Sequence, residues 1–380
     1  MERKKLIKVA TMTFHMAHNY GAMLQAYALE TVVNRLGASC EVLDYRYPYI
    51  DQWSGIRTLG ETQQESGFMM GTLKYLKRYW KSYRKADPKR RKFNTFMRQD
   101  LKLSRKTYFQ AEQLRTATYD AVLFGSDQIW NQELTGRPAP EYMGKYFDAE
   151  KVKLIAYAAS AGTDAFQENL TETYYPLLKR FTALGIREKG LADFISQKYQ
   201  LSVQTVLDPV FLLEKEDWMQ VSEGAEITID EPYLLVYAFQ VGEDIYQLAR
   251  KIAKERKLKL VAIGYQERDF LEDMLQLTEC GPKDFVSLIQ NAAFVCTTSF
   301  HGMAFSVIFE KDFYCIGHPK YSKRNSDFLS LAALTDRMVS KASDVVCVEN
   351  CDYAKSREAL RSEKQKSLEF LRKSIFEVRS

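Results

Sequence analysis

Residues 294–309 read FVCTTSFHGMAFSVIF. Phe294 to Thr298 is a β-branched and aromatic run of strand length, and His301 to Phe309 is an apolar segment suited to a buried helix. Between them Thr297 to Gly302 form a polar loop containing a glycine. A strand that empties through such a loop into a helix is half of a βαβ unit, and the next strand follows at Phe313 to Ile316. Upstream the alternation continues as strand Tyr233 to Phe239, helix Ile245 to Arg256, strand Leu258 to Ile263 and helix Lys283 to Ala292. The spacing predicts a doubly wound parallel sheet.

The first half of the chain repeats the pattern. Strand-like runs fall at Leu6 to Phe14, Ser39 to Tyr45, Tyr119 to Gly125, Lys153 to Ala159, Ala183 to Arg187 and Val203 to Leu207. Tyr20 to Leu36 places Leu24, Ala28, Leu29, Val32 and Leu36 on one face and closes at Gly37, as an amphipathic helix should. Two lobes are also what 380 residues favour at about 150 per domain. Glu214 to Glu231 is polar, acidic and aperiodic and reads as a linker, so the lobes are expected at 1–214 and 215–345. Leu360, Leu368, Leu371 and Ile375 recur among charges from Tyr353 to Val378, which predicts a long amphipathic helix in a terminal segment, 346–380.

Composition narrows the class. With 46% hydrophobic and 27% charged residues the chain has an ordinary folded profile. The longest apolar runs, such as Tyr233 to Phe239, fall short of the ~18–20 residues that span a bilayer. The N-terminus lacks the apolar core and cleavage site of a signal peptide, so a cytoplasmic protein is expected. Six cysteines form no CxxC pair, and four of them sit in apolar runs, as buried thiols do. His15, His18, His301 and His318 are not spaced near the cysteines, so no metal is expected. A net charge of +5 without a recognised binding motif does not indicate nucleic acid.

In doubly wound sheets, chemistry gathers in the loops after the strands. Thr297 to Gly302 can present hydroxyls, His301 and the free N–H groups of a helix start together. An anion there gains about 0.5–2 kcal/mol from each of the helix dipole and a protonated imidazole; the competing reading is that His301 only caps the helix. Arg187, in Gly185 to Gly190, can fork onto a carboxylate, or else pair with Glu188 or Asp193 at the surface. Arg324, in Lys323 to Ser326, adds a second guanidinium or serves as a solvated cap. In the first lobe, the loops His15 to Gly21, with Asn19 and Tyr20, and Gly125 to Asn131, with Ser126, Asp127, Gln128 and Trp130, combine amide, carboxylate and aromatic groups. Such groups suit sugar hydroxyls and the apolar face of a pyranose, though turn chemistry alone also accounts for each loop.

These pieces resemble the polysaccharide pyruvyl transferase family from about Lys8 to Arg337. The residues that carry the likeness are TFHMAHNYGAMLQAYAL (13–29), FGSDQIWN (124–131), IAYAASAG (155–162), GIREKG (185–190), VLDPVFLL (206–213), FVCTTSFHGMAFSVIF and the region Lys323 to Arg337. The resemblance implies a GT-B-like α/β fold, two Rossmann-type doubly wound lobes facing a central cleft. It places phosphoenolpyruvate on the second lobe and the acceptor sugar on the first. It implies a histidine at the position of His301 and an arginine at that of Arg187 around phosphoenolpyruvate, with Ser299, Phe300, Gly302 and Arg324 completing the donor site. Many relatives carry an arginine where this chain has Ser299, and Arg324 is expected to supply that charge. His15, Asn19, Tyr20, Gly21, Ser126, Gln128 and Trp130 are then the acceptor side, and Asp127 the base for the incoming hydroxyl.

The implied reaction adds a sugar hydroxyl to protonated phosphoenolpyruvate, loses phosphate and closes a cyclic ketal, with His301 as acid or phosphate partner and no cofactor beyond the donor. The acceptor would belong to a capsular or other surface polysaccharide, free or lipid-linked. Its rivals are a GT-B glycosyltransferase using a nucleotide sugar, and a non-catalytic sugar-binding relative. From Lys74 to Lys106 only Asp87 and Asp100 oppose a run of Lys and Arg, and Phe68 to Tyr83 interleaves aromatic and basic residues. Segment 68–106 therefore either packs on its lobe or makes a peripheral contact with anionic lipid at the inner membrane face.

Overall fold

The computed structural model describes residues 6–47, 70, 72, 88–238, 243–264, 271–317 and 322–377. Two compact units emerge, one of residues 1–212 with 367–380 and one of residues 213–366. In chain order the first contains β1 (Lys8–Met12), α1 (Tyr20–Arg35), β2 (Ser39–Val42), α2 (Pro88–Gln99), β3 (Ala121–Phe124), the single turn α3 (Gln132–Thr135), β4 (Lys153–Ala159), α4 (Glu168–Leu178), β5 (Ala183–Ile186), α5 (Lys189–Tyr199) and β6 (Gln204–Thr205). All its strand pairs are parallel, in the order β2-β1-β3-β4-β5-β6. Every residue of β3, and all of β4 after Lys153, is buried, which explains why these strands are continuous apolar runs rather than alternating ones.

The second unit contains α6 (Lys215–Ser222), β7 (Tyr233–Tyr237), α7 (Asp244–Arg256), β8 (Lys259–Ile263), β9 (Leu275–Leu277), α8 (Pro282–Asn291), β10 (Phe294–Thr297), α9 (Phe300–Ile308), β11 (Phe313–Ile316), α10 (Ser322–Leu331) and β12 (Met338–Val339). Its parallel sheet runs β12-β11-β10-β7-β8-β9. Counted within the unit, this is the 3-2-1-4-5-6 order of a Rossmann sheet, with the order reversing between β7 and β10. In the first unit the reversal lies between β1 and β3.

The predicted linker carries a helix in its first half. Glu214 opens α6 by donating its N–H to Asp217 (2.8 Å), and Trp218 packs edge-on against Phe305 with ring centroids 4.8 Å apart. Asp284 then anchors the chain by accepting from the amides of Glu226 and Ile227 (2.8 and 3.1 Å). Two buried positions, Trp218 and Val221, are too few to show a period in the sequence. Helix α11 (Ala354–Phe376) is not a segment apart either: its residues through Lys366 belong to the second unit and those from Ser367 to the first. In the first unit Ser367 Oγ accepts from Leu207 N (3.0 Å) and Phe370 lies 6.2 Å from Tyr157.

Of the basic segment, residues 68–87 lie outside the described residues apart from Met70 and Thr72. The described remainder includes α2, which turns its apolar face inward: Phe93 stacks 5.2 Å from Tyr20 and Phe96 5.9 Å from Tyr27, while Arg91 and Arg98 point outward. That face packs on α1. Among the described residues no helix is long and apolar enough to cross a membrane.

Candidate functional site

In the second unit, the loop from Thr297 to His301 leaves β10 at the reversal of strand order, the place where such sheets take ligands. Thr297 Oγ1 donates to the Tyr237 carbonyl (2.7 Å), tying the loop to β7, and accepts from Ser299 N (3.0 Å). Ser299 is the N-cap of α9, its hydroxyl accepting from Gly302 N at 3.4 Å. Gly302 is needed because a Cβ there would lie 2.3 Å from Thr297 Oγ1 and 3.1 Å from the Tyr237 ring. Without a side chain, α9 can start directly against the strand ends.

Two side chains from outside the loop complete the cluster. The Arg324 guanidinium lies 4.9 Å over the Phe300 ring, and that ring meets His301 edge-on at 5.3 Å. Asn325, buried, donates to the Thr298 carbonyl (3.4 Å) and so holds α10 to the loop. Ser299, Phe300, His301, Gly302 and Arg324 are thereby brought together. A helix N-terminus, an imidazole and a guanidinium in one place can bind a carboxylate or phosphate and move a proton. Ser299 acts here as a cap.

In the first unit the loops after β1, β3, β4, β5 and β6 are joined by buried polar contacts. Thr13 Oγ1 donates to the Ser126 carbonyl (2.9 Å) and accepts from Gln25 Nε2 (2.8 Å), while Ser126 N donates to Gln25 Oε1 (3.1 Å). Ser126 Oγ donates to Asp208 Oδ2 (3.1 Å), which also receives Arg187 Nη1 at 2.9 Å. Arg187 Nε donates to Glu188 Oε1 (3.1 Å), and Ser160 Oγ donates to the same oxygen (2.7 Å). Burial works to lower the Arg187 pKa, but the carboxylates of Glu188, Asp208 and Asp127 outweigh it and push it above its ordinary value. The loop after β3 turns tightly at Gly125, whose φ of +124° and position 2.1 Å from the Tyr157 carbonyl, measured to an added Cβ, admit no side chain.

Several expected site residues have other roles. Arg187, expected to fork onto a ligand carboxylate, forks instead onto Asp208 and Glu188 with its side chain only 3% exposed. The surface pair considered for it is a buried one, and Asp193 pairs with Lys189 (2.5 Å). His15, fully buried, holds Asp44 Oδ1 at 3.0 Å. Burial would raise the Asp44 pKa, but hydrogen bonds from His15 and Arg46 hold it down at about 2. Trp130 is 1% exposed, donates to the Tyr142 carbonyl (3.1 Å) and packs on Phe166, within the hydrophobic core. Tyr20 is buried against Phe93, Gly21 lies within α1, Asn19 caps that helix by accepting from Ala22 N (3.1 Å), and Ser126 is enclosed in the network. Asp127 and Gln128 retain partial exposure. Sequence reasoning passed over Ser160, Asp208 and Glu188 as functional candidates. The only local signals were an acid directly after Arg187 and an Asp-Pro helix start at Asp208, where the carboxylate accepts from Val210 N (3.2 Å).

Two Rossmann-type sheets, each with polar loops at the carboxyl ends of its strands, define a GT-B-like α/β protein. The fold is similar to UDP-N-acetylglucosamine 2-epimerase from Rickettsia bellii, with a TM-score of 0.53 at 12% identity over 96% of each chain. It is also similar to the Methanocaldococcus jannaschii UDP-GlcNAc 2-epimerase in complex with UDP-GlcNAc and UDP, with a TM-score of 0.50 at 9% identity over 93% of this chain and 98% of that one. At such identities the likeness concerns the fold alone. No curated protein matches the sequence. The model of the family "Polysaccharide pyruvyl transferase" matches residues 19–320, and the chain belongs to that family. It is thus a transferase of polysaccharide pyruvylation, acting on a sugar acceptor.

Proposed function

We propose that this protein transfers the pyruvyl group of phosphoenolpyruvate to two hydroxyls of a sugar in a surface polysaccharide precursor, forming a cyclic ketal and releasing phosphate. The observation that supports it is the cluster of His301, Arg324 and the α9 N-terminus at the reversal of strand order in the second unit. Phosphoenolpyruvate carries both a phosphate and a carboxylate, and this cluster offers a helix start and a guanidinium for them. His301 gives a proton to the methylene carbon, and the electron pair of the double bond forms the new C–H bond. A sugar hydroxyl then bonds to the cationic C2 and gives up its proton. The C2–O bond to phosphate breaks with its electron pair, and a second hydroxyl bonds to C2. Two hydroxyl protons are released: one replaces that of His301 and the other leaves with phosphate.

The test is phosphate release from phosphoenolpyruvate with a panel of acceptor sugars, together with thermal midpoints at millimolar phosphoenolpyruvate. His301→Ala is expected to lower turnover by about 10²–10⁴-fold, and Arg324→Ala to abolish the rise in midpoint. Retention of most turnover by His301→Ala overturns the assignment. A second reading draws on the fold neighbours, whose names include a UDP-sugar. A midpoint raised by uridine nucleotides and not by phosphoenolpyruvate favours that nucleotide-sugar reading.

A further inference from the structure

Helix α10 is fastened to the His301 loop by a ring and an amide. Phe300, the first residue of α9, is buried. The Arg324 guanidinium lies 4.9 Å over its ring, and Phe328 packs at 79° against the same ring with centroids 5.8 Å apart. Arg324 and Phe328 stand four residues apart in α10, so they share one face of that helix and both rest on Phe300. Asn325, also buried, supplies the amide: its Nδ2 donates to the Thr298 carbonyl (3.4 Å) and lies 3.3 Å from Cys315 Sγ. Cys315 of β11 is in register with Thr297 of β10, so this one side chain ties the first turn of α10 to the ends of both strands.

Arg187 and Arg324 are held in different ways. Arg187 rests between the carboxylates of Asp208 and Glu188, each of which offsets its charge. An aromatic face attracts a cation through its quadrupole and carries no net charge, so the Phe300 ring orients Arg324 without cancelling any of it. Orientation matters because a long side chain that is ordered only when a ligand arrives loses rotamer freedom at that moment, and the loss is subtracted from affinity. A ring that fixes the guanidinium beforehand removes part of that cost. Asn325 works from the backbone: by holding the first turn of α10 on the loop, it sets the point from which the Arg324 side chain leaves the helix.

Building on the reading above, we propose that Phe300 and Asn325 are positioning residues of the donor site, fixing the Arg324 guanidinium beside His301 for the incoming anion and acting on that anion through Arg324. The probes are phosphoenolpyruvate and, separately, inorganic phosphate, titrated against the full-length protein by phosphorus NMR, which also reads weak complexes. Phe300→Leu is expected to raise the dissociation constant about 5- to 30-fold, the range for a cation over a partly desolvated ring. Phe300→Tyr keeps the aromatic face and should stay within about 2-fold of wild type. In an Arg324→Ala background Phe300→Leu should cost nothing further, because residues that act through one partner are not additive. Wild-type affinity in Phe300→Leu, an equal loss in Phe300→Tyr, or the full loss again in the Arg324→Ala background overturns the inference, as does a wild-type protein that binds neither anion. Should Arg324→Ala bind too weakly to titrate, the comparison of Phe300→Leu with Phe300→Tyr decides. If Phe300→Leu does not fold, Asn325→Ala takes its place: unchanged affinity, or a loss that persists in the Arg324→Ala background, overturns the inference. Phosphate bound with the expected pattern, but phosphoenolpyruvate bound no more tightly than phosphate, removes the donor reading and leaves the positioning intact, so either can fail alone.

Discussion

Replacing Asp208 by Asn tests whether the buried ion cluster carries the first unit. The Asp208 side chain is fully buried and receives Arg187 Nη1 at 2.9 Å, and the arginine is itself only 3% exposed. Asn keeps the shape and can still accept from Val210 N, but it removes the charge opposite a buried guanidinium. Breaking one partner of a buried pair costs about 3–5 kcal/mol. Glu188 still holds Arg187 Nε at 3.1 Å, so the lower figure applies. At roughly 2–4 °C per kcal/mol for a unit of this size, the midpoint should fall by about 6–12 °C. Calorimetry beside Asp193→Asn provides the reference, because Asp193 pairs with Lys189 in the open, with side chains 50% and 72% exposed. Such a surface pair contributes about 0–1 kcal/mol. An Asp208→Asn midpoint no lower than that of Asp193→Asn would refute the reasoning.

Gly302→Ala should destabilise by about 1–3 kcal/mol, as overpacking does, because its Cβ would sit 2.3 Å from Thr297 Oγ1 and force α9 away from β10. Thermal denaturation followed by circular dichroism checks this, and a wild-type midpoint counts against it. Burial raises the Glu30 carboxyl from 4.5 to about 7 despite opposing contributions from Lys102 and Asn34. A raised folded-state pKa means a stability contribution that is complete below about pH 4.5 and is lost as pH rises through about 7. Between pH 5 and pH 8 the urea midpoint of wild type should therefore fall more than that of Glu30→Gln, and parallel changes would remove Glu30 as the cause.

The strands were legible because their burial on both faces leaves continuous apolar runs. Phe313–Ile316 and Lys153–Ala159 have the bounds their residues suggest. The His301 loop was legible for a related reason, since polar residues between two apolar elements have to lie at a sheet end. Helix α6 was not, because eight residues with two buried positions carry no readable period. Trp130 and His15 were ambiguous because an aromatic or imidazole in a polar loop suits a ligand as well as a core. Burial separates the two, and burial depends on what packs from elsewhere.

Local pattern alone determined that this chain forms parallel α/β sheets and where its loops fall, because strand and helix periods are set by residues close in sequence. Tertiary structure decided which charges stay exposed and which are internal. Arg187 and Asp208 lie 21 residues apart and Ser126 and Asp208 82 apart, and they meet only when parallel strands bring their carboxyl ends to one edge. An arginine that the sequence leaves free to bind a ligand is there neutralised from within, because a buried guanidinium is stable only beside carboxylates. The same folding leaves one oxygen of Glu188 buried without a hydrogen-bond donor among the described residues, a distinction between two acids of one cluster that no spacing of residues encodes.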